Sequence, residues 1–251
     1  MSRAPVEVIS LRFEHHPTGL GISTATPRPT LDGEHGDIVA QGWFQTAYEL
    51  EIRRPWRLAV ASQDSEIVSF YVEGSSNAFN PWPDKPLTSR ERADVRVRVH
   101  GRRGGLAETS EWTAWVRIEA ALLSHEDWSA QMITTTEPSD RTVIRPIRLR
   151  KVFQLPKISL NGVGLARLYL TALGIYEVYL NGHKVGDEYF APGWTSFHHR
   201  LQYQVYDAGH LLRHGNDVIA IEVASGMYAG RLLWNEEYRF AFLGDRVFGM
   251  A

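Results

Sequence analysis

The stretch IYEVYLNGHKVGDEYFAPGWTSFHHR, residues 175–200, gathers Asn181, Asp187, Glu188 and Trp194 within a short span. An indole ring offers an apolar surface to the C–H face of a pyranose, and neighbouring amides and carboxylates bind its hydroxyls. Asn181, Asp187 and Trp194 supply these parts, and Trp234 and Asn235 of LLWNEEYRF add a second contribution. The acids raise another chemistry, because glycoside hydrolysis takes two carboxyl groups roughly 5 to 10 Å apart across the scissile bond. Asp187, Glu188, Glu236 and Glu237 are available for it. They lie in polar loop sequence and read as solvated carboxylates, so no residue is assigned a catalytic role. The binding candidates also have plainer readings. Asn181 precedes Gly182 between two alternating runs, the signature of a two-residue type I′ hairpin turn. Trp194 follows Pro192 and Gly193 beside the apolar Phe190, Ala191 and Phe197, so it is expected to anchor the loop by packing.

Other chemical groups recede on geometry. Adjacent residues on a strand point to opposite faces, so His15 and His16, or His198 and His199, are poorly placed to share one ion. The glycines of GRRGGLAE neither follow a strand nor open a helix as a phosphate loop does, and read as a hairpin turn. Arg96, Arg98, Arg102 and Arg103 are expected on a solvated strand face and turn. A formal net charge of −2 leaves no electrostatic footprint for nucleic acid. With no cysteine, disulfides and thiolate metal sites are excluded. No apolar run approaches the length of about 18 residues that spans a bilayer, and MSRAPVEVISLRFEHHP has no signal-peptide apolar core. No Asn-x-Ser/Thr sequon occurs, so the expectation is a cytoplasmic chain with neither nucleic acid nor membrane as partner.

The elements that must position these residues are strands. YELEI, SFYVEG, ADVRVRVHG and EWTAWVRIEA alternate with period two, and such alternation puts one face of each strand in a core. Turn signals between them argue a first sandwich over residues 1–122, with Trp56, Trp112 and Trp115 as core and rim aromatics. After the polar stretch that begins near residue 123, LRKVFQL, LARLYLTAL, IYEVYLNG, RLQYQVYDA and NDVIAIEVAS build a second, over residues 123–251. One short helix is expected at DAGHLLRHG, capped by Asp207 and ended at Gly215. The fold class is all-β, two antiparallel β-sandwiches in tandem.

Residues 166–212, ARLYLTALGIYEVYLNGHKVGDEYFAPGWTSFHHRLQYQVYDAGHLL, resemble the N-terminal sandwich of bacterial and fungal α-L-rhamnosidases, and NDVIAIEVASGMYAGRL continues the likeness. The strand ending in LNG, the VGD turn, the APGWT loop and the YDA–LL segment occur in the family's order. GLGISTATPRPTL, QTAYELEI, VRVRV and EWTAW resemble the fibronectin type III-like domain that precedes it. The resemblance implies a jelly-roll-like second sandwich, cut short at its C-terminal end, and a catalytic (α/α)6 barrel that this chain does not contain. It implies a non-catalytic role: support of that barrel, and recognition of a rhamnose-containing glycan. The alternatives are a free-standing rhamnose-binding module or a fragment of an active glycosidase. Some family members bind rhamnose through calcium, which would place Asn181 and Asp187 as oxygen ligands; no other cofactor is implied. Where many members carry GWY this chain has Gly226, Met227 and Tyr228, so an aromatic platform is expected to be missing there. The shortened sandwich is expected to leave an inner strand unpaired, inviting self-association through that edge.

Overall fold

The computed structural model describes residues 6–14, 16, 18–33, 42–54, 66–136, 144–155, 165–213, 215–230 and 247–250. Chain contacts divide it into two compact units, Met1–Trp128 and Ser129–Ala251, a few residues beyond the boundary at 122/123 read from composition. Each unit has its own buried apolar cluster, and both are built of β-strands.

In the first unit the strands are β1 (Val8–Phe13), β2 (Leu20–Ile22), β3 (Pro29–Gly33), β4 (Trp43–Arg53), β5 (Ile67–Glu73), β6 (Arg92–Arg103), β7 (Leu106–Thr109) and β8 (Val116–Ala120). β1 and β3 form a ribbon, and the large sheet runs β2-β8-β6-β4-β5 with β7 hairpinned onto β6. Pairing is antiparallel except for β2 beside β8, which is parallel. The alternation in β6 buries Val95, Val97 and Val99 and turns Arg96 and Arg98 outward. Register then places Arg96 opposite Glu51 and Arg98 opposite Glu49, and both pairs close as salt bridges at 2.6 Å. Burial by itself would push the Asp94 carboxyl up, but Arg117 and Arg53 more than offset it and hold it below the ordinary range.

Among the described residues the tryptophans of this core are Trp43 and Trp82, and Trp56 lies outside the described residues. Trp112 and Trp115 are half-buried among the outward arginines: Arg96 stacks on both rings, Arg98 on Trp112 and Arg53 on Trp115, at 4.3 to 4.8 Å. EWTAWVRIEA is therefore a strand only from Val116. Before that, the hydroxyls of Ser110 and Thr113 accept from Val99 N–H and Val97 N–H at 3.0 and 3.1 Å, in place of backbone carbonyls. GRRGGLAE is the expected hairpin turn, but Arg103 is buried against Glu108 rather than solvated.

The second unit contains β9 (Ile147–Gln154), β10 (Arg167–Leu173), β11 (Ile175–Leu180), β12 (His183–Lys184), β13 (Gln204–Asp207), β14 (Asn216–Ala224) and β15 (Phe248–Met250). One sheet runs β12-β11-β14-β9 and the other β13-β10-β15. Consecutive strands β10 and β11 belong to different sheets. Gly174 between them has φ +142, and a side chain there would press on the Ala224 carbonyl. Leu170, Ala172, Val178, Leu180 and Val223 close the core. One expectation changes. The helix at DAGHLLRHG is a single 3-10 turn, Gly209–Leu211; Asp207 ends β13 instead of capping a helix, although its carboxylate still accepts from Gly209 N–H at 3.2 Å. On the side of β10 away from β13, Phe248–Met250 pairs with it at Thr171, Ala172 and Leu173, and on the other side of β15 Gly249 exchanges backbone hydrogen bonds with Ile133 at 3.0 Å.

Candidate functional site

The candidate rim begins at the β11–β12 hairpin. Asn181 and Gly182 have φ of +53 and +86, the two positive values a type I′ turn needs. The Asn181 side chain is fully engaged by protein. Its amide nitrogen donates to Leu211 O at 2.8 Å and to Asp217 Oδ1 at 2.6 Å, and its oxygen accepts from Val218 N–H at 2.9 Å. Asp217 is wholly buried and also receives Arg213 N–H at 2.9 Å. A sugar or calcium ion at Asn181 would have to displace bonds that hold β11, β14 and the 3-10 turn together.

After β12, Val185 is buried and bonds back to Val178, and Gly186 lies so close to the Tyr206 ring that no side chain would fit. Asp187 and Glu188 are exposed, and Glu188 hydrogen-bonds Tyr206. Beneath them Tyr176 donates to Gln204 Oε1 at 2.8 Å, and its oxygen lies 3.0 Å from that of Tyr206. Burial raises both phenols, Tyr206 to about 12. Gln204 Nε2 in turn donates to Pro192 O at 3.0 Å, and Tyr176 N–H to Ala191 O at 2.8 Å. The loop of residues 189–194 turns tightly there, with a cis Ala191–Pro192 bond and Gly193 N–H bonded to Phe190 O at 3.1 Å.

The loop is thus held from below through its backbone while its rings stand in solvent. Tyr189 is 83% exposed, Phe190 73% and Trp194 59%. The expectation that Trp194 packs as an anchor is overturned. Ala191 and Pro192 are buried instead, and Phe197 is the packed ring, edge-on to Tyr228 at 5.4 Å. Lys184, paired with Glu177 at 2.8 Å, sits 5.4 Å from the Tyr189 ring. Tyr228 is buried, whereas Met227 is exposed at the position where the resemblance has an aromatic. Sequence reasoning passed over Tyr189, Tyr206 and Gln204, and took Phe190 for a packing residue. The available signal was YF and W flanking A-P-G in a loop, where consecutive apolar residues cannot all face a core.

Chemically the rim offers aromatic faces, one free carboxylate at Asp187 and a second tied to Tyr206, an arrangement suited to holding a polyol. Among the described residues no group of three His, Asp or Glu side chains could hold a metal ion, and Asn181, one of the two oxygen ligands the resemblance offers, is committed elsewhere. Trp234, Asn235, Glu236 and Glu237 lie outside the described residues.

Comparison with known proteins agrees with this architecture. Residues 8–124 match the family described as Rha78A-like, N-terminal immunoglobulin domain, and residues 161–250 match the family described as alpha-L-rhamnosidase N-terminal domain. The chain belongs to the N-terminal region of the α-L-rhamnosidase family. It is 34% identical over 171 residues to an α-L-rhamnosidase of Formosa agariphila, covering 65% of this chain and 18% of that protein. The crystal structure of the native α-L-rhamnosidase from Aspergillus terreus superposes with a TM-score of 0.81 and 35% identity, over 98% of this chain and 26% of that one. The α-L-rhamnosidase of Streptomyces avermitilis, solved with L-rhamnose, shares the fold at a TM-score of 0.79 and 19% identity over 97% of this chain and 38% of that one. The chain therefore spans about a fifth to two fifths of these α-L-rhamnosidases.

Proposed function

We propose that the chain is a non-catalytic N-terminal part of an α-L-rhamnosidase-like glycoside hydrolase, supporting a catalytic domain and receiving rhamnosylated substrate at the rim of residues 187–194. The observation that carries this reading is the triplet of exposed rings, Tyr189, Phe190 and Trp194, on a backbone fixed by Tyr176 and Gln204. Exposed aromatics on a stiff loop serve a ligand, since they add nothing to a core. Asp187 beside them is available to bind hydroxyls. Catalysis is assigned to no residue here: Asp187 and Glu188 are exposed neighbours on one loop, and Glu188 is tied to Tyr206.

The same rings support the reading of an autonomous rhamnose-binding module. Calorimetric titration of the whole chain with L-rhamnose, with and without calcium, tests the rim. Binding that is independent of calcium and lost in Trp194→Ala is expected, together with no turnover of an aryl α-L-rhamnoside. Trp194→Ala should melt like the parent, within the roughly 0.5 kcal/mol usual for exposed positions. Absence of any heat of binding would remove recognition and leave the supporting role alone.

A further inference from the structure

We propose that the open edge of β5 is a self-association surface, at which a second copy of this chain pairs its own β5 antiparallel. β5 is the terminal strand of the large sheet and pairs with β4 along its whole length without a bulge. Gly74 N–H donates to Thr46 O at 2.9 Å. Bonded and non-bonded pairs alternate along an antiparallel ladder, so Val68, Phe70 and Val72 bond β4. Ile67, Ser69, Tyr71 and Glu73 then turn their N–H and C=O groups to the open side. All four residues are exposed, and among the described residues no other strand pairs with that side.

Long edges are ordinarily guarded by lysine, proline, bulges or inward charge. β9, the edge of the four-stranded sheet, carries Arg148, Arg150 and Lys151. β5 reads Ile-Val-Ser-Phe-Tyr-Val before its single charge, Glu73. Its sequence is also self-complementary. With a two-fold axis at Phe70, Ile67 lies opposite Glu73 of the second copy and Ser69 opposite Tyr71, so every outward residue enters a hydrogen-bonded pair. Val68 then meets Val72 of the second copy, Phe70 meets Phe70, and no like charges oppose. A shift of two residues either way leaves an outward residue of β5 unmatched within the strand. The result is an isologous interface that continues the large sheet across two chains.

The chain has no cysteine, which makes the register directly testable. Sedimentation of the whole chain over a roughly hundredfold range of concentration should show a reversible monomer–dimer equilibrium. Ser69→Pro deletes only an outward N–H, spares the β4 ladder, and should be monomeric over the same range. Under oxidising conditions an equimolar mixture of Ser69→Cys and Tyr71→Cys chains should give a disulfide-linked dimer at least about tenfold faster than either alone, because only mixed pairs face each other at bridging distance. A monomeric wild type, a Ser69→Pro chain that dimerises normally, or equal crosslinking of mixed and single chains would each overturn the proposal.

Discussion

Asn181 combines two demands that few residues meet. Its backbone takes positive φ, and its amide reaches the carbonyl of Leu211, the carboxylate of Asp217 and the N–H of Val218 at once. Deleting the side chain strands the buried Asp217 with one fewer donor, and a buried acceptor left unsatisfied costs about 1 to 3 kcal/mol. Asn181→Gly, which keeps the turn conformation, is therefore expected to lose about 2 kcal/mol of stability, and Asn181→Ala about 1 kcal/mol more for the left-handed backbone. Urea denaturation of both variants checks this. An Asn181→Gly chain as stable as the parent would show that the network carries no net weight. Trp194 is the contrasting case: the residue type suits a core, and its exposure makes it a surface group instead.

At the scale of elements, β11 and β13 are tied by the phenols of Tyr176 and Tyr206 beneath the rim. Unfolded tyrosine ionises near pH 10, whereas burial, with Glu188 and Asp187 nearby, lifts Tyr206 to about 12 and raises Tyr176 as well. Above the unfolded value the unfolded chain releases protons that the folded chain retains, so this contribution is whole below about pH 10 and is lost as pH climbs toward 12. Chemical denaturation at stepped alkaline pH should show stability falling across that window. Tyr206→Phe, although less stable at neutral pH, should show a shallower fall. An identical slope in the variant would assign the alkaline loss to other groups.

For the whole molecule, the decisive feature is that each unit encloses its own apolar cluster, centred on Leu50, Val95 and Ile118 in one and Leu170, Val178 and Val223 in the other. A cut between Trp128 and Ser129 crosses neither cluster. Residues 1–128 and 129–251 produced separately are each expected to unfold cooperatively, and calorimetry should give a transition for each. A fragment lacking a cooperative transition would show that its cluster is insufficient without the other unit. Rhamnose binding, if carried by the rim, should remain with residues 129–251.

Alternation in β4 and β6 determined by itself that these segments are strands, since a period of two leaves a helix no apolar stripe. Asn181–Gly182 likewise fixed its own hairpin, because both positive φ values are local properties of those residues. Order and spacing of LNG, VGD and APGWT were enough for the family. What lay beyond local pattern was decided by packing. Trp112 and Trp115 left the core because outward arginines offered their rings a stack, and Arg103 entered it because Glu108 was within reach. Asn181 serves as a latch because Asp217 arrives beside it from 36 residues away. Trp194 stayed in solvent because Ala191, Pro192 and Phe197 take the inward positions of its loop, a choice that depends on Tyr176, Gln204 and Tyr228 on other elements. Exposure of an aromatic is a property of its neighbours in space, and no spacing along the chain encodes it.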